Sequence, residues 1–235
     1  MGLLRSFLVG PGVPRHLLAF CFLCVCIPVL AQEPDYTLVD SASAEDGKVL
    51  SGDERCQECH GVDGNIHANN EAGKIPKLAG QHPAYLLKQF NDFRISARHH
   101  DFMAMMARTV DDETAVDIFA HYGSQPVMKG SGAGDNGPGK KLYLEGDNAR
   151  QIQACANCHG ADGRGLAKDQ PSPVAGLTLE FIPIIGGQDW HYLDQQLRDW
   201  RSGERANSAD GVMNKITAKL RDDEIKALTD YISSL

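Results

Sequence analysis

Of the seven cysteines in this chain of 235 residues, none lies outside three short clusters. These are Cys21, Cys24 and Cys26 near the start, then the pairs Cys56/Cys59 and Cys155/Cys158. Once the first cluster is set aside and the two pairs are used, nothing remains for a disulfide or a lone reactive thiol. Positive charge is also short. Against 31 acidic residues stand 23 basic ones, a net charge of −8, which argues against nucleic acid and anionic surfaces as partners. Few segments alternate as strands do, and no phosphate loop or nucleophile–base pair is apparent, which removes the usual marks of a hydrolase or a phosphotransferase.

Acidic residues are missing altogether before Glu33. Arg5 and Arg15 precede an apolar stretch from Leu17 to Leu30, and Val29-Leu30-Ala31 offers small residues before a cut. The pattern predicts an export signal over 1–31 and a periplasmic protein. An uncleaved membrane anchor is the competing reading, and peripheral association with a membrane is a separate expectation. The stretch is short for a span of about 20 apolar residues, and Pro28 interrupts it.

The rest of the chain is a tandem repeat. Cys56-Gln-Glu-Cys59-His60-Gly61-Val62-Asp63-Gly64 answers to Cys155-Ala-Asn-Cys158-His159-Gly160-Ala161-Asp162-Gly163. Pro76, Gly80-Gln81, Tyr85-Leu86 and Arg94 answer to Pro183, Gly187-Gln188, Tyr192-Leu193 and Arg201, each 107 positions on. Met103 and Val110 answer to Met213 and Leu220, 110 positions on. Apolar spacing predicts an all-α chain, with helices over 84–94, 112–122, 190–201 and 222–232 and shorter ones over 44–59 and 140–144. Met213 is expected at the start of the last helix. Gly123 to Gly139 is rich in Gly, Ser, Pro and Asn and reads as a linker between an N-terminal domain over 32–122 and a C-terminal domain over 140–235.

CxxCH is the attachment pattern for c-type haem: two thiols reach the porphyrin vinyl groups from one helical turn, and the adjacent histidine lies beneath the iron. Two such motifs predict two haem c groups, with thioethers at Cys56, Cys59, Cys155 and Cys158 and proximal ligands at His60 and His159. One zinc knuckle built from both pairs is disfavoured, because paired knuckles lie about 15–20 residues apart, and here 96 positions separate Cys59 from Cys155. A thioredoxin-like dithiol lacks its strand–helix surroundings. For the sixth ligand, methionine suits electron transfer. The repeat register points to Met103 and Met213. Met105, Met106, His99 and His100 remain rivals in the first half, while Ser208 and Ala209 hold the matching histidine places in the second. Carbonyls near Pro76 and Pro183 are candidates to accept the other ring N–H of each proximal histidine.

These motifs, taken together over nearly the whole chain after residue 31, resemble the cytochrome c4 family of dihaem cytochromes. The resemblance implies two class I cytochrome c domains related by a pseudo-twofold axis, His/Met ligation at His60/Met103 and His159/Met213, and haems close enough to exchange electrons. It implies an electron-transfer protein rather than an enzyme, passing electrons from a quinol-oxidising complex or a dehydrogenase to a terminal oxidase or other acceptor. The alternative is the electron-accepting subunit of a dehydrogenase, for instance in sulfur-compound oxidation; redox proteins are the expected partners in either case. The first half departs from the pattern in its Met103-Ala-Met-Met106 cluster and in one extra residue between Val110 and Tyr122, compared with Leu220 to Tyr231. It is also the more acidic half, with 16 acidic and 8 basic residues over 32–127 against 15 and 13 over 128–235. Such an asymmetry would orient the molecule between unlike partners.

Overall fold

Proline and side-chain caps set where the chain turns helical. The computed structural model describes residues 34–66, 75–132 and 137–235. The expected export signal, its three cysteines and His67 lie outside the described residues. In the first half the helices are α1 (Ala44–Asp53), α2 (Cys56–His60), α3 (Pro83–Arg94), α4 (Asp101–Thr109) and α5 (Asp112–Ser124). In the second half they are α6 (Pro138–Glu145), α7 (Ala156–His159), α8 (Trp190–Ser202), α9 (Val212–Thr217) and α10 (Asp222–Ser234). No strand occurs among the described residues, only an isolated bridge between Asp147 and Ile152. Ser43 and Asp111 cap α1 and α5 by accepting the N–H groups of Asp46 and Thr114, and prolines open α3 and α6. No helix among the described residues is long and apolar enough to cross a membrane.

Each half is built around a crossing of its first and last helices, α1 on α5 and α6 on α10. Glycine makes the crossing possible. A Cβ on Gly47 would lie 1.8 Å from the Asp117 carbonyl oxygen, and one on Gly139 would lie 2.0 Å from that of Ala227. The helices therefore approach backbone to backbone, closer than any other residue allows. α3 and α8 complete the two cores, which gather Leu87, Phe90, Ile118 and Phe119 in one half and Leu142, Leu193, Ile225 and Leu228 in the other.

Three sequence expectations need correction. The helix expected over 44–59 is broken: α1 ends at Asp53, Arg55 takes a left-handed φ of 61°, and a fresh turn starts at Cys56. Across that bend the exposed Arg55 guanidinium makes a two-point contact with Glu58, at 2.8 Å for each bond. Met213 does not open the last helix either. It lies in α9, and Met103 lies in the corresponding α4, each a separate helix before the last one. Finally, the glycine-rich stretch after α5 is fastened along its described part. Met128 is buried, and the N–H groups of Gly130 and Gly132 donate to the Leu235 and Ser234 carbonyls at 2.6 and 2.9 Å. The end of α10 has carbonyls without helical partners, and this segment supplies their donors.

Candidate functional site

The short helices α2 and α7 present both CxxCH motifs to one cavity of about 900 Å³, which runs between the two halves. Cys56, Cys59, His60 and Met103 line it from one half, and Cys155, Cys158, His159 and Met213 from the other. Burial pushes the Cys56 thiol up to about 11 and the Cys155 thiol up to about 12, so both are neutral at pH 7. Among the described residues, no three His, Cys, Asp or Glu side chains gather into a metal-binding group, so the two pairs do not converge on one zinc site.

The two histidines are held alike. His60 Nδ1 lies 3.1 Å from the Pro76 carbonyl oxygen, and His159 Nδ1 lies 2.9 Å from that of Pro183. A carbonyl accepts only, so each Nδ1 carries the proton and each Nε2 is left with a lone pair. Neither Nε2 has a hydrogen-bond partner among the described residues. Burial is the main reason both rings sit below the usual histidine range and stay neutral, which is the form that binds a metal.

Of the rivals in the first half, Met103 and Met106 line the cavity, whereas Met105 is exposed. His99 and His100 also lie along its edge. The Nδ1 of His100 accepts the Met103 N–H at 3.3 Å, and in the second half the Ser208 hydroxyl accepts the Met213 N–H at the same 3.3 Å. His100 is the N-cap of α4, three residues before Met103, whereas Ser208 lies five residues before Met213 and ahead of Gly211, which caps α9 without a side-chain bond. An arginine secures the backbone beyond each methionine. Arg94 donates to the Ala107 and Val110 carbonyls and pairs with Asp112, at 2.6, 3.0 and 2.6 Å. Arg201 donates to the Leu220 carbonyl at 3.1 Å and pairs with Asp222 at 2.6 Å.

Sequence reasoning missed the polar floor of the cavity. Arg98 and Arg205 are both buried, and neither meets a carboxylate at salt-bridge distance among the described residues. Arg98 donates to Gln89 of its own half and crosses to Tyr192 and Gln196, at 3.0, 2.9 and 2.8 Å. Arg205 donates to Gln196 of its own half and crosses to Tyr85 and Gln89, at 2.6, 3.3 and 2.9 Å. Burial and the neighbouring Arg98 charge push Arg205 below the usual arginine range. Burial works to raise the Tyr192 phenol, but the two arginine charges outweigh it and hold the phenol down. A buried charge without a counter-ion costs several kcal/mol, roughly, so this floor calls for an anion. The signal was present in the sequence, since Arg205 follows Arg98 by the same 107 positions as the other repeat pairs.

The chemistry of these donors fits haem c. Paired thiols, a histidine with a free Nε2 and a methionine line each side of the cavity, and two buried cations on the same cavity suit a group that carries carboxylates.

A family model for cytochrome c matches the chain twice, over residues 44–121 and 137–235. The chain is 36% identical over 183 residues to a cytochrome c4 of Thiocapsa roseopersicina, covering 77% of this chain and 86% of that protein. It is 32% identical over 184 residues to a thiosulfate dehydrogenase electron acceptor of Stutzerimonas stutzeri strain A1501, covering 77% and 78%. Among solved structures, reduced recombinant cytochrome c4 from Pseudomonas stutzeri superposes with a TM-score of 0.69 at 32% identity, covering 83% of this chain and 99% of that one.

Proposed function

The chain belongs to the cytochrome c4 family, and on that premise we propose that its two haem c groups are each held by a histidine and a methionine of their own half, in a periplasmic shuttle between redox proteins. It is a dihaem electron carrier, built from two cytochrome c domains. The observation that carries the ligand reading is the doubled arrangement: a CxxCH histidine held through Nδ1 by a prolyl carbonyl, with a methionine at the repeat register on the same cavity. Bound haem supplies one-electron cycling between Fe(II) and Fe(III).

The residues around each haem do the remaining work. Cys56, Cys59, Cys155 and Cys158 tether the two porphyrins as thioethers. His60 and His159 coordinate through Nε2, while Pro76 and Pro183 fix their tautomer and ring direction. Met103 and Met213 would supply the second protein ligand to each iron, a ligand type that favours a higher potential. Met103 is preferred over Met106 because it shares the repeat register of Met213, and each has its N–H held by a side chain from the preceding turn. Arg98 and Arg205 balance the haem carboxylates, helped by Tyr85 and Tyr192. A histidine and a methionine from the chain for each iron would suit electron transfer rather than turnover of a substrate. The domains expected over 32–122 and 140–235 extend to the ends of their helices, Ser124 and Pro138, and the segment over 1–31, with Arg5 and Arg15 ahead of its apolar run, supports export.

A second reading has one observation in its favour. Similarity to a thiosulfate dehydrogenase electron acceptor supports service to a dehydrogenase as the donor. Purification from the native source separates the two: a stable complex with a flavin- or metal-containing partner supports the subunit role, and a free dihaem protein supports the shuttle. For the ligands, spectra of Met103→Ala and Met213→Ala decide. Each variant is expected to lose one of two methionine–iron signals, and a variant that loses none refutes that half's assignment.

A further inference from the structure

The carbonyls that hold the two histidines belong to peptide groups whose other ends are gripped from across the molecule. The Pro183 carbonyl accepts from His159 Nδ1, and the N–H of that same peptide group is the Ile184 N–H. It donates to Gln81 Oε1 of the first half at 3.0 Å. The Gln81 amide then returns a bond, from Nε2 to the Ile184 carbonyl at 2.8 Å. The second half does the same to the first. The Pro76 carbonyl accepts from His60 Nδ1, and the Lys77 N–H of that peptide group donates to Gln188 Oε1 at 2.8 Å. Gln188 Nε2 donates back to the Lys77 carbonyl at 2.9 Å. The backbone fixes both amide orientations, because an N–H must meet the oxygen and a carbonyl must meet the nitrogen.

Both glutamines are only 4% exposed, and each Oε1 takes a second bond from the N–H of the next residue, His82 or Asp189. Their side chains are therefore locked, with no water-facing alternative. A peptide group is planar and polarisable. Hydrogen bonds in series strengthen one another, so an acceptor on the N–H end makes the carbonyl end a better acceptor. A better acceptor draws the Nδ1 proton, and the imidazole becomes a stronger donor to whatever its Nε2 binds.

We propose that Gln81 and Gln188 are reciprocal positioning residues: Gln81 sets the potential of the second-half haem and Gln188 that of the first. Each half thereby tunes its partner's iron through one peptide group. This rests on the axial roles of His60 and His159 proposed above. A stronger imidazole donor favours Fe(III), so removing a glutamine raises the potential of the opposite haem.

The test is a redox titration of the full holoprotein carrying Gln81→Met or Gln188→Met. Each wave is assigned to its half by following the iron-shifted proton resonances of His60 and His159. Gln81→Met is expected to change the reduction equilibrium of the second-half haem by about threefold to tenfold, at or below the lower range for loss of an outer partner of a metal ligand. The first-half haem should stay put, and Gln188→Met should do the converse. Gln81→Glu keeps an accepting oxygen on the Ile184 N–H and should not raise that wave as the methionine variant does; it also serves if the methionine variant fails to fold. Movement of the same-side wave, of both equally, or of neither in a folded protein overturns the proposal. If neither histidine of the unsubstituted protein shows iron-shifted resonances, the axial assignment has failed and the proposal falls with it, a result distinct from the wrong wave moving.

Discussion

In the first half the hydroxyl that reaches the Gly61 carbonyl, just after the haem motif, comes from Tyr122 on α5, at 3.2 Å. In the second half the hydroxyl on the Gly160 carbonyl comes from Tyr143 on α6, at 2.8 Å. The two tyrosines sit on opposite partners of the same helix crossing. The position of Tyr143 on the first helix is held in the other half by Ser51, and that of Tyr122 on the last helix by Ile232. Pairing of the last helix with the loop fixes the second match, since the Gly80 N–H donates to the Tyr122 carbonyl and the Gly187 N–H to that of Ile232, both at 2.9 Å. What the halves share at this crossing is a buried volume and one hydroxyl on one carbonyl, rather than a residue. The supposed extra residue before Tyr122 disappears too: α5 and α10 both have 13 residues and start in register.

The methionine segments differ in a second way. α4 spans nine residues and carries three methionines, with Phe102 and Met105 exposed on its surface. α9 spans six and carries Met213 alone. The largest expected effect probes this contrast. Met213→Ala and Met103→Ala should each remove one methionine–iron signal and lower that half's potential by on the order of 0.2 V, within the roughly 0.8 V range that axial ligation spans. Met106→Ala should leave both signals, and spectra taken through a redox titration check all three. Next come the helix crossings. Gly47→Ala and Gly139→Ala should each cost about 3 kcal/mol in thermal unfolding, because backbone must move to admit the methyl group. A large inequality between them would show that the two crossings are not built alike. Arg94→Met and Arg201→Met should cost about 2 kcal/mol each, with the first the larger, as Arg94 makes three bonds where Arg201 makes two. Smallest are the tyrosines. Denaturant unfolding should find about 1 kcal/mol lost in Tyr143→Phe and somewhat less in Tyr122→Phe, whose bond is longer.

Much of this arrangement was legible in the chain because a repeat lets each half annotate the other. The CxxCH pairs, Pro76 and Pro183, and the methionine register all emerge from aligned spacing. The cavity floor was not legible, although Arg98 and Arg205 share the repeat offset, because a lone arginine on a polar stretch looks like solvated surface until folding buries it. The glutamine contacts were beyond reach for a different reason. Gln81 and Gln188 act across 103 to 111 positions of sequence on backbone atoms, which leave no mark on residue identity. The break at Arg55 was hidden because the left-handed turn falls on an arginine, a residue type that does not mark one. Tyr122 and Tyr231 misled because matching letters implied matching places, whereas the helix crossing sets the register.

The most direct test of the account is a redox titration of the purified full chain, combined with haem content and ligand-sensitive spectra. Two haems per chain, two one-electron waves and a methionine–iron signal attached to each wave are the predicted result. A single haem, or a first-half haem with the signature of two histidines, would contradict it.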